Sequence, residues 1–193
     1  ILGTLPPYFD MKTMVSFYDP TSFLVSLACA EMVANYRLPH CGTSGSGAGW
    51  GADLMAADPY WMNQITACIG KAGLVPFVGD TLNAKAFSPT TLVYVHEVIA
   101  QALRLAGGFV LDDEAVGLAE IAQVGPGGNF LTSRSTLAQY RRAYYSSPIW
   151  PRLSMEKWQA RGRPRADDLL RERTCALLER AAPPADHDEL LVR

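Results

Sequence analysis

Three times in the first half of the chain, a short β-type apolar run gives way to a loop and then to a helix with a start signal. The first run covers residues 14–17. Asp19 then offers a capping carboxylate, and Pro20 takes the first helical position, where its missing N–H costs nothing. The helix predicted from Pro20 to about Tyr36 spreads Phe23, Leu24, Leu27, Met32 and Val33 over more than one face, with Glu31 its only charge, so it needs cover on two sides. The second run, 38–41, opens into the glycine-rich stretch GTSGSGAGWG at 42–51. A helix is predicted from near Ala52, and Asp58-Pro59 is a second start signal that either kinks it or divides it. Trp61, Ile65, Cys68 and Ile69 continue at helical spacing, and Gly73 is the expected stop. The third run, 74–78, has a buried-strand pattern, although Pro76 sits badly in a central strand. After the loop 79–87, Ser88-Pro89 starts a helix lined by Leu92, Val95, Ile99 and Leu103 and ended by Gly107-Gly108.

From Asp112 the pattern holds helices only: about 112–124, then a GPGG turn at 125–128, then about 136–145, 154–161 and 166–182, with an exposed tail at the end. Strands alternating with helices of this length predict parallel βαβ units. Three such units do not close a sheet, because two strand edges stay open and the helices stay partly uncovered. The expected class is therefore α/β, with part of the architecture missing.

Composition changes this picture little. The 193 residues are 49% hydrophobic and 19% charged with a formal charge of −2, which gives no electrostatic reason for a nucleic acid or an anionic membrane as partner. Arg161, Arg163 and Arg165 are followed at once by Asp167, Asp168 and Glu172, as at solvated helix ends. The longest apolar stretch, 23–34, is too short for a bilayer and contains Ser26 and Glu31. With no signal-peptide pattern, the cytoplasm is expected. Cys29, Cys41, Cys68 and Cys175 form no CxxC pair and read as free thiols. His40-Cys41 lacks the spacing of a zinc site, so no metal is expected. The glycine-rich stretch lacks the Lys-Ser/Thr of a P-loop and does not fit the dinucleotide fingerprint.

Several segments together resemble the trimethylamine methyltransferase family. FYDPTSFLVSLACAEMVANYRLP (17–39) resembles that family's passage from a barrel strand through a long apolar helix to a turn. GTSGSGAGWGADLMAAD stands at the place of its Gly/Ser/Asp-rich loop. VPFVGDTLNAKAFSPTTLVYVHEVIAQALRLAGGF (75–109) is similar to its last strand and following helix, and IAQVGPGGNFLTSRSTLAQYRR (121–142) to its GPGG turn and helix. EKWQARG (156–162) fits its tail. The resemblance covers almost the whole chain and implies the C-terminal part, about three βα units, of a (β/α)₈ barrel: 1–131 as barrel, 132–193 as a helical extension of the same domain. It departs from the family at Ser44-Gly45-Ser46-Gly47, at Pro76-Phe77 and at Ser135-Thr136, and it carries no pyrrolysine.

The implied activity is transfer of a methyl group from a tertiary or quaternary methylated amine to the Co(I) corrinoid of a partner protein, with no cofactor bound directly, a corrinoid protein as partner, and a homo-oligomer left open. As a fragment alone, the chain is expected to be inactive. Such an amine must be desolvated, held as a cation and aimed; aromatic rings and a carboxylate serve the first two needs. In a barrel these groups sit at the carboxyl ends of strands and in the βα loops. The candidates are Asp53 and Asp80 as catalytic carboxylates, Phe17, Tyr18, His40, Trp50 and Asn83 as substrate contacts, and Gly45 and Gly47 where the corrinoid approaches. Asp19 could serve as a third carboxylate or only as a helix cap, and Glu97 is expected to be solvated or linked to packing. Two other readings stay open: a barrel enzyme of changed chemistry, and a non-catalytic module that binds or assembles with a corrinoid protein.

Overall fold

The computed structural model describes residues 2–3, 6–42 and 49–183. Its parallel strands follow chain order. β1 (Leu2–Gly3) pairs in parallel with β4 (His40–Cys41), Leu2 opposite His40 and Gly3 opposite Cys41, and Cys41 bridges in parallel to Leu74. The Leu2 amide donates to the Pro39 carbonyl at 3.0 Å, the Gly73 amide to His40 at 2.9 Å, and the Gly42 amide to Leu74 at 2.8 Å. Helices α1 (Pro20–Asn35) and α2 (Leu54–Ile69) make the two crossovers, and α3 (Pro89–Ala106) follows the third strand position. Successive parallel strands joined through helices are βαβ units, so the class is α/β.

The structure corrects the expected strands. Residues 14–17 are no parallel strand: β3 (Val15–Phe17) folds back antiparallel onto β2 (Tyr8–Asp10), and Leu2–Gly3 takes the place assigned to it. Asp10 explains the turn, since its carboxylate accepts from the Lys12 amide at 2.9 Å and the Thr13 hydroxyl at 2.7 Å. The third run contracts to the single bridge at Leu74, because Pro76 has no N–H to donate and Phe77 adopts φ 62°. Its loop holds a small antiparallel hairpin, β5 (Asp80–Thr81) with β6 (Ala86–Phe87).

The helix starts fall near where side-chain caps put them. Asp19 accepts from the Ser22 amide at 2.9 Å while Ser22 Oγ accepts from the Asp19 amide at 3.3 Å, a reciprocal cap. Ser88 accepts from the Thr91 amide at 3.3 Å. Pro59 lies inside one continuous α2; the carbonyl it deprives belongs to exposed Met55, which water can serve. α2 stops at Gly70, three residues before the glycine expected to end it. Beyond it Lys71 takes φ 53°, the Lys71 amide donates to Cys68 and the Ala72 amide to Ala67. α1 ends identically, with Arg37 at φ 55° and amides of Arg37 and Leu38 donating to Ala34 and Val33. Both are Schellman endings with a long basic side chain where glycine is usual.

The remaining helices are α4 (Asp113–Val116), α5 (Leu118–Val124), α6 (Arg134–Gln139), α7 (Met155–Ala160) and α8 (Ala166–Glu179), with a 3₁₀ turn at Phe130–Thr132. α3 packs between α2 and α8. Ala56, Tyr60 and Val95 centre the core, backed by Val78, Tyr94 and Ile99. A strap across α3 binds this layer together: Tyr145 Oη donates to the buried Glu97 carboxylate at 2.8 Å, and Trp150 meets Tyr94 edge-on at 6.1 Å. The Trp150 indole also donates to the Ala166 carbonyl at 2.9 Å. Among the described residues no helix is long and apolar enough to cross a membrane.

Candidate active site

Because the three strand positions run in parallel, the segments that leave them depart from one edge of the sheet, the carboxyl edge. These are the hairpin loop ahead of α1, the glycine-rich loop ahead of α2, and the β5–β6 loop ahead of α3. Direct bonds join the second and third. The Leu82 amide donates to the Gly49 carbonyl at 2.9 Å, and Tyr60 Oη, from the middle of α2, donates to the Asp80 carbonyl.

Asp53 organises the end of the glycine-rich loop. Its carboxylate accepts from the Ala56 amide at 2.9 Å, capping α2, and from the Trp50 amide at 2.9 Å. The Trp50 backbone is thereby held while the residue is 75% exposed, and Leu54, which opens α2, is 92% exposed. Gly49 sits too close for any side chain: an added Cβ would lie 2.5 Å from Ala56 Cβ.

Burial holds the Asp80 carboxyl above the usual carboxylate range. The Tyr60 phenol, fully buried, is pushed up to about 12, first by burial and then by the charges of Asp80 and Asp53. Both carboxylates thus act on one hydroxyl. Asn83 stands at the tip of the hairpin, where Leu82, Asn83 and Ala84 all take positive φ of 53°, 55° and 65°. Three successive non-glycine residues in that region hold a costly shape that the surrounding contacts must fix.

The other candidates are spread more widely. Phe17 lies on the β2–β3 hairpin with its ring 6.0 Å from Tyr8, and Tyr18 stacks on Phe23 at 6.1 Å. Topology puts both at the carboxyl edge. Asp19 is the cap of α1. His40 opens β4 and borders a groove of about 490 Å³ between the C-terminal ends of α1 and α2, with Glu31 and Lys71 nearby. Gly45 and Gly47 lie outside the described residues. Glu97 is 1% exposed and linked to Tyr145 rather than to the mouth. Among the described residues no group of three His, Cys, Asp or Glu side chains is placed to hold a metal ion.

Tyr60 escaped the sequence reading. Its signal was a polar-tipped ring on the buried face defined by Ala56, Tyr60, Gln64 and Ala67. A phenol buried at such a position requires a partner for its hydroxyl.

A parallel βαβ frame whose second and third loops are bonded to one another at one strand edge defines an α/β protein. The family model for trimethylamine methyltransferase matches residues 1–190, and the chain belongs to that family. It is 23% identical over 192 residues to a glycine betaine methyltransferase of Desulfitobacterium hafniense strain Y51, covering 98% of this chain and 40% of that protein. It is 22% identical over 184 residues to a trimethylamine methyltransferase of D. hafniense strain DSM 10664 / DCB-2, covering 95% and 37%. The chain thus spans about two fifths of the length of these curated relatives.

Proposed function

We propose that this chain forms the C-terminal part of a (β/α)₈ barrel, and that its mouth binds a tertiary or quaternary methylated amine and presents one methyl group to the corrinoid of a partner protein. The observation that carries this reading is the pairing of an outward-facing aromatic with carboxylates on joined loops: Trp50 on a backbone clamped by Asp53, and Asp80 across the Gly49–Leu82 bond. The names of the two relatives, both methyltransferases of methylated ammonium compounds, support the substrate class.

In this reading the Trp50 ring attracts the ammonium face, worth about 0.5–2 kcal/mol for one ring, and Phe17 and Tyr18 supply further walls. Asp53 and Asp80 complement the positive charge. Burial favours the neutral Asp80 carboxyl, and a cation seated beside it draws the group back toward its ionised form. Asn83 is the polar contact, and His40, which borders the groove at the C-terminal ends of α1 and α2, is left out of the site. Holding the amine with one methyl outward converts an encounter into an aligned transfer. The partner's cobalt supplies the nucleophilic chemistry. Trp50, Leu54 and Phe87 are each exposed apolar side chains in or beside these loops that the approach of a partner-borne macrocycle would cover, and Gly45 and Gly47 are assigned to that approach because they add no side chain to obstruct it.

The test is to express the full reading frame that carries this chain, supply a Co(I) corrinoid protein and a panel of N-methylated amines, and follow loss of the Co(I) absorption. The reading expects loss that depends on one of the amines and falls at least tenfold in Trp50→Ala and Asp53→Asn. Loss indifferent to every amine would contradict it. Tight association with the corrinoid protein and no turnover would favour the second reading, a non-catalytic binding or assembly module, which the apolar exposed face of α1 supports.

A further inference from the structure

Three hydrogen bonds at the ends of these loops, joined by short stretches of backbone, form a closed circuit. Starting at the N-terminus of α2, the Asp53 carboxylate holds the Trp50 amide. The neighbouring Gly49 carbonyl holds the Leu82 amide of the third loop. Leu82 follows Asp80–Thr81 in the hairpin, and the Asp80 carbonyl accepts from Tyr60 Oη. Tyr60 returns the path to α2, two turns below Asp53, where its ring is buried and meets Tyr94 edge-on at 6.3 Å. A ring of bonds resists distortion at every point, because opening one link removes the constraint on the others.

From this circuit we propose that Tyr60 is a positioning residue of the mouth: its hydroxyl ties the third loop to the helix that carries the second, and so fixes where Trp50 and Asp80 stand relative to one another. The proposal rests on the reading of this end as the substrate mouth only for its consequence in catalysis; the coupling itself is a property of the chain. Tyr60 touches no substrate in this account. It acts through Asp80 and Gly49, from inside the core. The three left-handed residues at the hairpin tip are where that coupling is needed, because an unsupported tip of this shape relaxes.

Residue-resolved amide hydrogen exchange tests it on the full chain, without methyl donor or corrinoid, so the result is independent of whether methyl transfer is the activity. Tyr60→Phe removes one oxygen and keeps the ring. Exchange at the Leu82 and Trp50 amides is expected to rise about tenfold, while the Gly107 amide, which caps the far end of α3, is unchanged. Thr174→Val is the control, since it deletes another buried hydroxyl bonded to a carbonyl, that of Leu170 in α8; it should leave Leu82 and Trp50 unaffected. Asp53→Ala cuts the circuit at the opposite side and should also loosen the Leu82 amide. Unchanged exchange at Leu82 in Tyr60→Phe, or an equal rise at Gly107, overturns the proposal.

Discussion

α1 and α3 are helices of similar length and similar apolar content, yet they sit in opposite circumstances. α3 is enclosed by α2 and α8 and buries Val95, Val98 and Ala102. α1 meets α2 on one side and leaves Leu24 66% and Met32 59% exposed. The chain as a whole exposes 14070 Å², where a closed monomer of 21.0 kDa exposes roughly 9,000 Å². A helix apolar on several faces is written for cover on several faces, and α1 leaves Leu24 and Met32 outside its contacts with α2 and β4. The difference teaches that α2, α3 and α8 pack into one layer among the described residues, whereas α1 keeps an apolar face exposed. That agrees with a chain spanning two fifths of its curated relatives.

The contrast can be broken by unfolding experiments. Tyr60→Ala empties the centre of the packed layer and should cost about 4 kcal/mol. Met32→Ala should cost less than about 0.5 kcal/mol by urea denaturation of this chain. Equal costs would mean that α1 is covered after all. Repeating Met32→Ala in the full reading frame sharpens the point: a cost that grows to about 2 kcal/mol there would identify the remainder of the protein as the cover.

The strap over α3 gives the next effect. Tyr145→Phe strips the buried Glu97 carboxylate of its donor and should cost about 2 kcal/mol. At the mouth the expected costs divide: Asp53→Ala loses a helix cap, about 1 kcal/mol, while Trp50→Ala should stay within about 0.5 kcal/mol because the ring touches solvent. A large stability loss from Trp50→Ala would show that the indole is structural and remove it from the site.

Titration separates the two regions as well. The phenols of Tyr60 and Tyr145 are both pushed up to about 12, by burial first and by neighbouring carboxylates second. A folded pKa raised above the unfolded value of about 10 favours the native state most below that pH. The advantage is lost as pH rises from 10 through 12. Phenolate absorbance should show these two tyrosines ionising last, together with unfolding, and Tyr145→Phe should remove one of them. The smallest effect is at a helix end: Lys71→Gly relieves a left-handed lysine and should gain about 0.5 kcal/mol in thermal unfolding, since the steric cost of that conformation exceeds the chain entropy that glycine adds.

Helix starts were legible because their signal is local. Asp19 and Ser88 cap with their own side chains, and the proline that follows each fixes the first turn. Strands were not, because two-residue strands take their identity from partners 38 residues away, as Leu2 does from His40. Residues 14–17 have strand character in either setting, and nothing in their pattern distinguishes a barrel strand from one arm of a hairpin. The end of α1 near Tyr36 was legible, whereas that of α2 was placed three residues late because the left-handed position falls on Lys71 and not on a glycine. Trp50, Asp53 and Asp80 could be assigned to neighbouring loops from position alone, but the hydroxyl that couples those loops comes from mid-helix Tyr60, where sequence shows only a core aromatic. His40 reads as a loop neighbour in sequence and borders a groove at the other ends of the helices in space.

The central claim is that the mouth holds a methylated ammonium ion against Trp50. Tetramethylammonium and a neutral tert-butyl alcohol of similar size, titrated separately into the isotopically labelled chain, test it through the Trp50 indole N–H resonance. The account predicts a saturable shift with the cation, little with the neutral compound, and no shift at Trp61, Trp150 or Trp158. An indole that responds equally to both compounds, or to neither, contradicts it.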